Sequence, residues 1–161
     1  MSDYNIRPIS KYDNSQIAEV IRRVLLEFGV PKVGTAYADK SLDCMFETYD
    51  GSRKLYFVVV ENGKITGGAG IQQLEDGEEN ICELQKMYFA PQSRGKGIGA
   101  KMMQICLEKA KSFGFEYCYL ETMPYMENAR KLYTKSGFES LEKPMGDTGH
   151  YSCNVWMLKK L

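Results

Sequence analysis

Residues 55–90 constrain this chain more than any other stretch. Three apolar, β-rich runs follow one another there, LYFVVVE, ITGGAGIQQL and ICELQKMYFA, separated only by NGK and by the short acidic EDGEEN. An Asn-Gly pair between apolar runs specifies a tight hairpin, because both residues tolerate the positive φ of a type I′ turn. Connections this short hold no crossover helix, so the three strands meander antiparallel.

The remaining elements are arranged around that meander. YNIRPI reads as a first strand and NSQIAEVIRRVLLEF as a helix, with Ile17, Val20, Ile21, Val24, Leu25 and Phe28 recurring at three and four. Asn14 is its expected cap, and Gly29 and Pro31 its end. The loop GTAYADKSLD leads to a shorter helical stretch around LDCMFETY. After the meander, IGAKMMQICLEKAKSFG is an amphipathic helix, and YCYLET, following a crossover, is a strand parallel to ELQKMYF. MENARKLYTKSG is a last helix closed by Gly137, and FESL and SCNVWML are closing strands. The expected class is α+β: a mixed, mostly antiparallel sheet with helices on both faces.

At 161 residues and 43% hydrophobic, the chain suits one domain over residues 1–161. Its 21 basic and 21 acidic side chains cancel, which argues against a nucleic-acid partner. The balance is uneven, however: residues 1–80 carry 9 Lys and Arg against 13 Asp and Glu (9 − 13 = −4), and residues 81–161 carry 12 against 8 (12 − 8 = +4). The N-terminus lacks the pattern of a signal peptide and no apolar run is long enough to span a bilayer, so a cytoplasmic protein without a membrane partner is expected. Five scattered cysteines without a CxxC pair read as reduced, mostly buried hydrophobes, and one histidine makes a metal site improbable. The sequence leaves a homodimer open.

SRGKGIGAKMM, Ser93 to Met103, sets three glycines at alternate positions before a helix. Glycine against a helix costs about 1 kcal/mol relative to alanine, and a glycine turn at a helix start bares successive N–H groups to an anion, most often a phosphate. Gly95, Gly97 and Ala100 satisfy the dinucleotide fingerprint G-x-G-x-x-G/A, with Glu121 near the position of a ribose-binding acid. Topology counts against it, since hairpins precede the turn and APQS separates it from its strand. The other spelling is R-x-x-G-x-G, from Arg94, Gly97 and Gly99, with NARKLYTKSGF, Asn128 to Phe138, further on.

The two motifs, in this order and spacing, resemble the acetyl-CoA motifs of the GNAT N-acetyltransferase superfamily, the second matching N-A-x-x-L-Y-x-K-x-G-F. The motif resemblance covers residues 81–138, and element order agrees elsewhere. It implies acetyl-CoA as cofactor, CoA as product, a central parallel strand pair that splays apart, and direct acetyl transfer to a primary amine of a small molecule, peptide or protein. A catalytically silent acyl-CoA sensor on the same fold is the alternative. The resemblance also implies that main-chain groups at Met87, Tyr88 and Phe89 meet the pantetheine arm and the thioester carbonyl. Gly95, Lys96, Gly97, Ile98, Gly99 and Ala100, after Arg94, form the pyrophosphate cradle. Asn128 and Ala129 adjoin the pantetheine, and Lys135 reaches a phosphate.

Glu83 aligns with a position where family members place a general base. An amine is mostly protonated at neutral pH, and a carboxylate there, direct or through water, helps deliver the free base. Regular alternation along ELQKMYF sends Glu83, Gln85, Met87 and Phe89 to one face, and Leu84, Lys86 and Tyr88 to the other. Tyr133 is the candidate acid that protonates the departing thiolate, although with Ala129, Leu132 and Ser136 it also has the spacing of a helix core face. For the acceptor, the loops offer Tyr37, His150 and Tyr151, with His150 an alternative base.

Overall fold

In the computed structural model, which describes residues 3–161, Asn62 and Gly63 take φ values of 51° and 75°. They turn β2 (Leu55–Glu61) into the antiparallel β3 (Lys64–Gln73). β4 (Ile81–Phe89) lies antiparallel on β3 and completes the meander. β1 (Tyr4–Pro8) pairs antiparallel with β2, and β5 (Tyr117–Thr122) pairs parallel with β4. β6 (Glu139–Leu141) and β7 (Val155–Lys160) complete a seven-stranded sheet of order β1-β2-β3-β4-β5-β7-β6. This mixed, mostly antiparallel sheet is the expected one, and it is not the parallel sheet that a dinucleotide fingerprint requires.

Helices cover both faces. Ile17, Ile21 and Leu25 of α1 (Asn14–Glu27) and Met45 of α2 (Met45–Thr48) pack on Tyr56 and Val58 of β2. On the other face, Met102 and Cys106 of α3 (Ile98–Ser112) and Tyr133 of α4 (Glu127–Lys135) pack with Val59, Ile71 and Leu84. No helix among the described residues is long and apolar enough to cross a membrane.

Three local readings change. Asn14 does not cap α1: its Oδ1 accepts from the Phe46 N–H at 2.8 Å and its Nδ2 donates to Glu47 at 2.7 Å, tying α1 to α2. Asp13 precedes the helix, but its carboxylate is taken by Arg7 and by the Ser10 N–H. Phe28, expected on the buried stripe of α1, is 39% exposed under the Arg94 guanidinium. Of the cysteines, Cys82, Cys106 and Cys118 are buried, whereas Cys44 is exposed and Cys153 half-buried.

The consequential difference is in β4. Lys86 takes a φ of 50°, and the ladder steps from Gly70 opposite Gln85 to Gly68 opposite Tyr88, so β4 carries one extra residue there. A bulge of this kind inverts the alternation beyond it. Met87 and Phe89 therefore pack with Cys82 and Leu84 on the α3 face, while Tyr88 packs on the α1 face. The regular alternation expected over ELQKMYF does not hold. β4 and β5 pair only from Ile81–Glu83 to Tyr117–Tyr119, and the strands part immediately before the bulge.

Candidate active site

Where β4 and β5 part there is a cleft of about 430 Å³. Its walls bring together Met87, Tyr88 and Phe89 of β4, Arg94, Gly95, Gly97, Ile98 and Gly99 of the turn, and Asn128, Ala129 and Tyr133 of α4. Beyond Glu83, β4 has no ladder partner on the β5 side, so main-chain groups there can bond a ligand, although the Lys86 and Phe89 carbonyls already accept from Tyr56 and Arg94.

Gly95 and Gly97 have φ values of 76° and 79°, and a Cβ on either would meet nothing within 4 Å. Left-handed backbone, not crowding, calls for glycine at these two positions. Gly99 differs, since a Cβ there would lie 3.2 Å from Leu132 Cδ2. Gly97 precedes α3 without a side-chain cap, so the first-turn N–H groups and the helix dipole face the cleft mouth unneutralised. An open, positively polarised concavity of this kind fits a phosphate.

The basic side chains of the turn are engaged elsewhere. Arg94 forms a two-pronged pair with Glu27, at 2.7 and 2.9 Å, donates from Nε to the Phe89 carbonyl at 3.0 Å, and lies over the Phe28 ring. Lys96 pairs with the buried Glu61 at 2.9 Å, which also accepts from the hydroxyls of Ser93 and Thr66. Neither Lys96 nor Ala100 lines the cleft, and Lys135 stands in a separate groove with Arg130 and Lys131.

Glu83 is 5% exposed at the point where the strands separate. Burial pushes its carboxyl up to about 7, and the Glu121 charge adds to this, while Gln85, His150 and Lys86 oppose it. Gln85 donates to Glu83 Oε1 at 2.5 Å, and its own oxygen accepts from Tyr49 at 2.5 Å and Gln72 at 2.8 Å. Those two donors fix the orientation of the amide, hence its donation to Glu83.

Tyr133 is buried, and burial pushes its phenol up to about 12. Its ring meets Phe138 edge-on at 6.1 Å. Its hydroxyl has no hydrogen-bond partner among the described residues, so the same side chain packs in the core and offers a free O–H at the cleft.

His150 lies apart from the cleft but within the electrostatic reach of Glu83. Its Nε2 is 2.8 Å from Asp39 Oδ2, and Lys86 Nζ is 3.2 Å from the same oxygen. Burial pulls the imidazole pKa down and Asp39 outweighs it, leaving it raised; for Asp39, burial pushes up and His150 with Lys86 outweighs it, leaving it lowered. Tyr37 instead has the Arg22 and Lys32 cations against its ring, and Tyr151 is 77% exposed. Asp39, Lys86, Glu121 and Cys153 were not among the expected site residues. The local signals were Lys86, a second charge after Glu83 in a largely buried strand, and Glu121, whose position suggested only a ribose-binding acid.

The acetyltransferase (GNAT) family profile matches residues 21–138. The chain is 42% identical over 157 residues to the uncharacterized N-acetyltransferase YjgM of Escherichia coli, covering 97% of this chain and 94% of that protein. In fold it is similar to a GNAT-family acetyltransferase of Staphylococcus aureus, with a TM-score of 0.85 at 21% identity over 99% of both chains. It is also similar to YncA of Salmonella typhimurium, solved with acetyl-CoA, with a TM-score of 0.79 at 20% identity over 99% of this chain and 95% of that one. The chain therefore belongs to the GNAT acetyltransferase family. It is a GNAT-type N-acetyltransferase.

Proposed function

We propose that the protein moves an acetyl group directly from acetyl-CoA to a primary amine of a small molecule or peptide, both bound at once. The supporting observation is a convergence at the β4–β5 opening of an anion-binding turn, an unpaired strand edge and the Tyr133 hydroxyl, with Glu83 buried beside the cleft, outside its lining, at the last paired position. The acetyl-CoA seen in YncA, a protein of the same fold, adds to it.

Backbone N–H groups from Arg94 through Ala100 hold the pyrophosphate, Lys96 contributing its N–H rather than its ammonium. Arg94 reaches a phosphate by leaving Glu27, and both side chains of that pair are partly open to solvent. Lys135 serves a more distant phosphate. Asn128 and Ala129 orient the pantetheine, and main-chain donors at Met87, Tyr88 and Phe89 stabilise the charge that develops on the carbonyl oxygen. Bound acetyl-CoA supplies an activated thioester.

With its pKa near 7, Glu83 is partly ionised at neutral pH and takes the proton of the incoming ammonium at a carboxylate oxygen, directly or through water. Tyr133 keeps its proton at neutral pH and holds it at Oη for the departing thiolate. The half-buried Cys153 lines the cleft, but burial pushes its thiol up to about 12. A thiol that stays protonated is a poor acetyl carrier, which favours direct transfer.

Screening a library of amines with acetyl-CoA, reading released CoA thiol, tests this reading. Thiol release that depends on amine supports it. Tight acetyl-CoA binding without release for any amine would make the protein a silent acyl-CoA sensor.

A further inference from the structure

We propose that the acceptor amine carries a carboxylate close to its nitrogen, as a free α-amino acid does, and that Lys86 with His150 recognises that carboxylate. The inference rests on the acyl-transfer reading above and names the acceptor of the same site.

Two cationic groups converge on a single carboxylate. Lys86 Nζ and His150 Nε2 lie 3.2 and 2.8 Å from the same oxygen of Asp39. The Lys86 side chain is only 6% exposed, and Asp39, already shared with His150, is its one acidic partner among the described residues. An ammonium has three donors, and a buried cation is costly unless it is fully paired. Asp39, divided between two donors, leaves the Lys86 ammonium with donors to spare.

The opposite charge stands beside it. Glu83 lies three residues before Lys86 on β4, opposite Tyr119, whose hydroxyl bonds Glu121, and it feels the charges of Glu121, His150 and Lys86. Glu121 lines the cleft and accepts from Tyr119 at 2.6 Å and from the Thr148 hydroxyl. A zwitterionic amine matches both ends: its ammonium faces Glu83 and Glu121, and its carboxylate meets Lys86, which lines the cleft and is coupled to His150 through Asp39. A polyamine would instead bring a second cation against Lys86. A carboxylate-free monoamine would leave Lys86 as it is.

Through His150, Asp39 also helps join two loops that Ser152 holds as well, its N–H donating to the Gly34 carbonyl and its hydroxyl to the Val33 carbonyl, both at 2.9 Å. A cluster that only clasps these loops gives no preference for acceptors bearing a carboxylate.

Calorimetric titration of the CoA-saturated protein with the common α-amino acids, their carboxamides and their decarboxylated amines decides between the two. In at least one side-chain series the acid should bind at least about tenfold tighter than its amide, the scale of a partly desolvated charge pair. That preference should shrink to within about threefold in Lys86→Met. Equal or tighter binding of the amides, no binding of any acid, or a preference that survives Lys86→Met would overturn the inference. If Lys86→Met does not fold, the comparison within the wild-type protein decides alone. Acetylation of carboxylate-free amines as fast as amino acids defeats only this inference, whereas absence of thiol release with every amine defeats the acyl-transfer reading itself.

Discussion

The hydroxyl of Tyr56 donates a 2.7 Å hydrogen bond to the carbonyl oxygen of Lys86, so a side chain of β2 holds the bulge of β4 across the full width of β3. Gly68 and Gly70 make that reach possible, since a Cβ on either would lie 2.5 Å from the Tyr56 ring. A left-handed conformation at a non-glycine residue costs about 1–2 kcal/mol, and the buried hydrogen bond offsets part of it. The bulge coincides with the parting of β4 from β5, which opens the cleft.

Tyr56→Phe removes that donor and leaves a buried carbonyl unpaired. Urea denaturation should show a loss of about 1–3 kcal/mol, and calorimetry should show acetyl-CoA affinity weakened several-fold as the strand edge relaxes. A variant that loses stability but keeps full affinity would mean that the bulge does not set the cleft.

Gly97→Ala and Gly97→Glu separate backbone strain from charge. Both place a Cβ at a φ of 79° in open space, so both should be destabilised by a similar amount of about 1 kcal/mol. Only the glutamate sets a carboxylate against the phosphate cradle, and acetyl-CoA affinity should fall at least about 100-fold there and only a few-fold in the alanine variant. Equal losses in the two would take the pyrophosphate away from this turn.

The hairpin, the parallel partner of β4, the glycine turn and the helix faces were legible because each follows from chemistry within a few residues of itself. The bulge was not, since lysine in a left-handed conformation has no local signature and the period-two rule carries straight through it. Its trace lay one strand away, in the glycines of ITGGAG, which leave room for Tyr56. Asn14 failed as a cap because a partner 32 residues away competes for its side chain. Asp39, Lys86 and His150 come from three distant segments, and nothing local to any of them announces the other two.

Glu83 gives a pH prediction in both activity and stability. Burial raises its folded pKa from 4.5 to about 7, so it binds its proton more tightly in the folded protein. The associated stabilisation is fully present below pH 4.5 and is lost as pH rises through about 7. Glu83→Gln, which stays neutral, should therefore gain stability relative to wild type between pH 5 and pH 8, by up to about 3 kcal/mol. Over the same range wild-type kcat/KM should rise with an apparent pKa near 7, and that step should be missing in the variant. A variant with the wild-type profile would remove Glu83 as the base and make His150→Ala the next test.

The central claim, direct transfer with Tyr133 as the acid, is tested most directly by the turnover of Tyr133→Phe with a good amine acceptor. The ring and its contact with Phe138 survive the substitution, and a hydroxyl without a protein partner should change stability by less than about 1 kcal/mol. With acetyl-CoA affinity nearly intact, kcat should fall by roughly 10² to 10⁴, the usual contribution of a positioned acid, and the loss should shrink for acyl donors with a better leaving group. Wild-type turnover in Tyr133→Phe would contradict the assignment and return Tyr133 to the core.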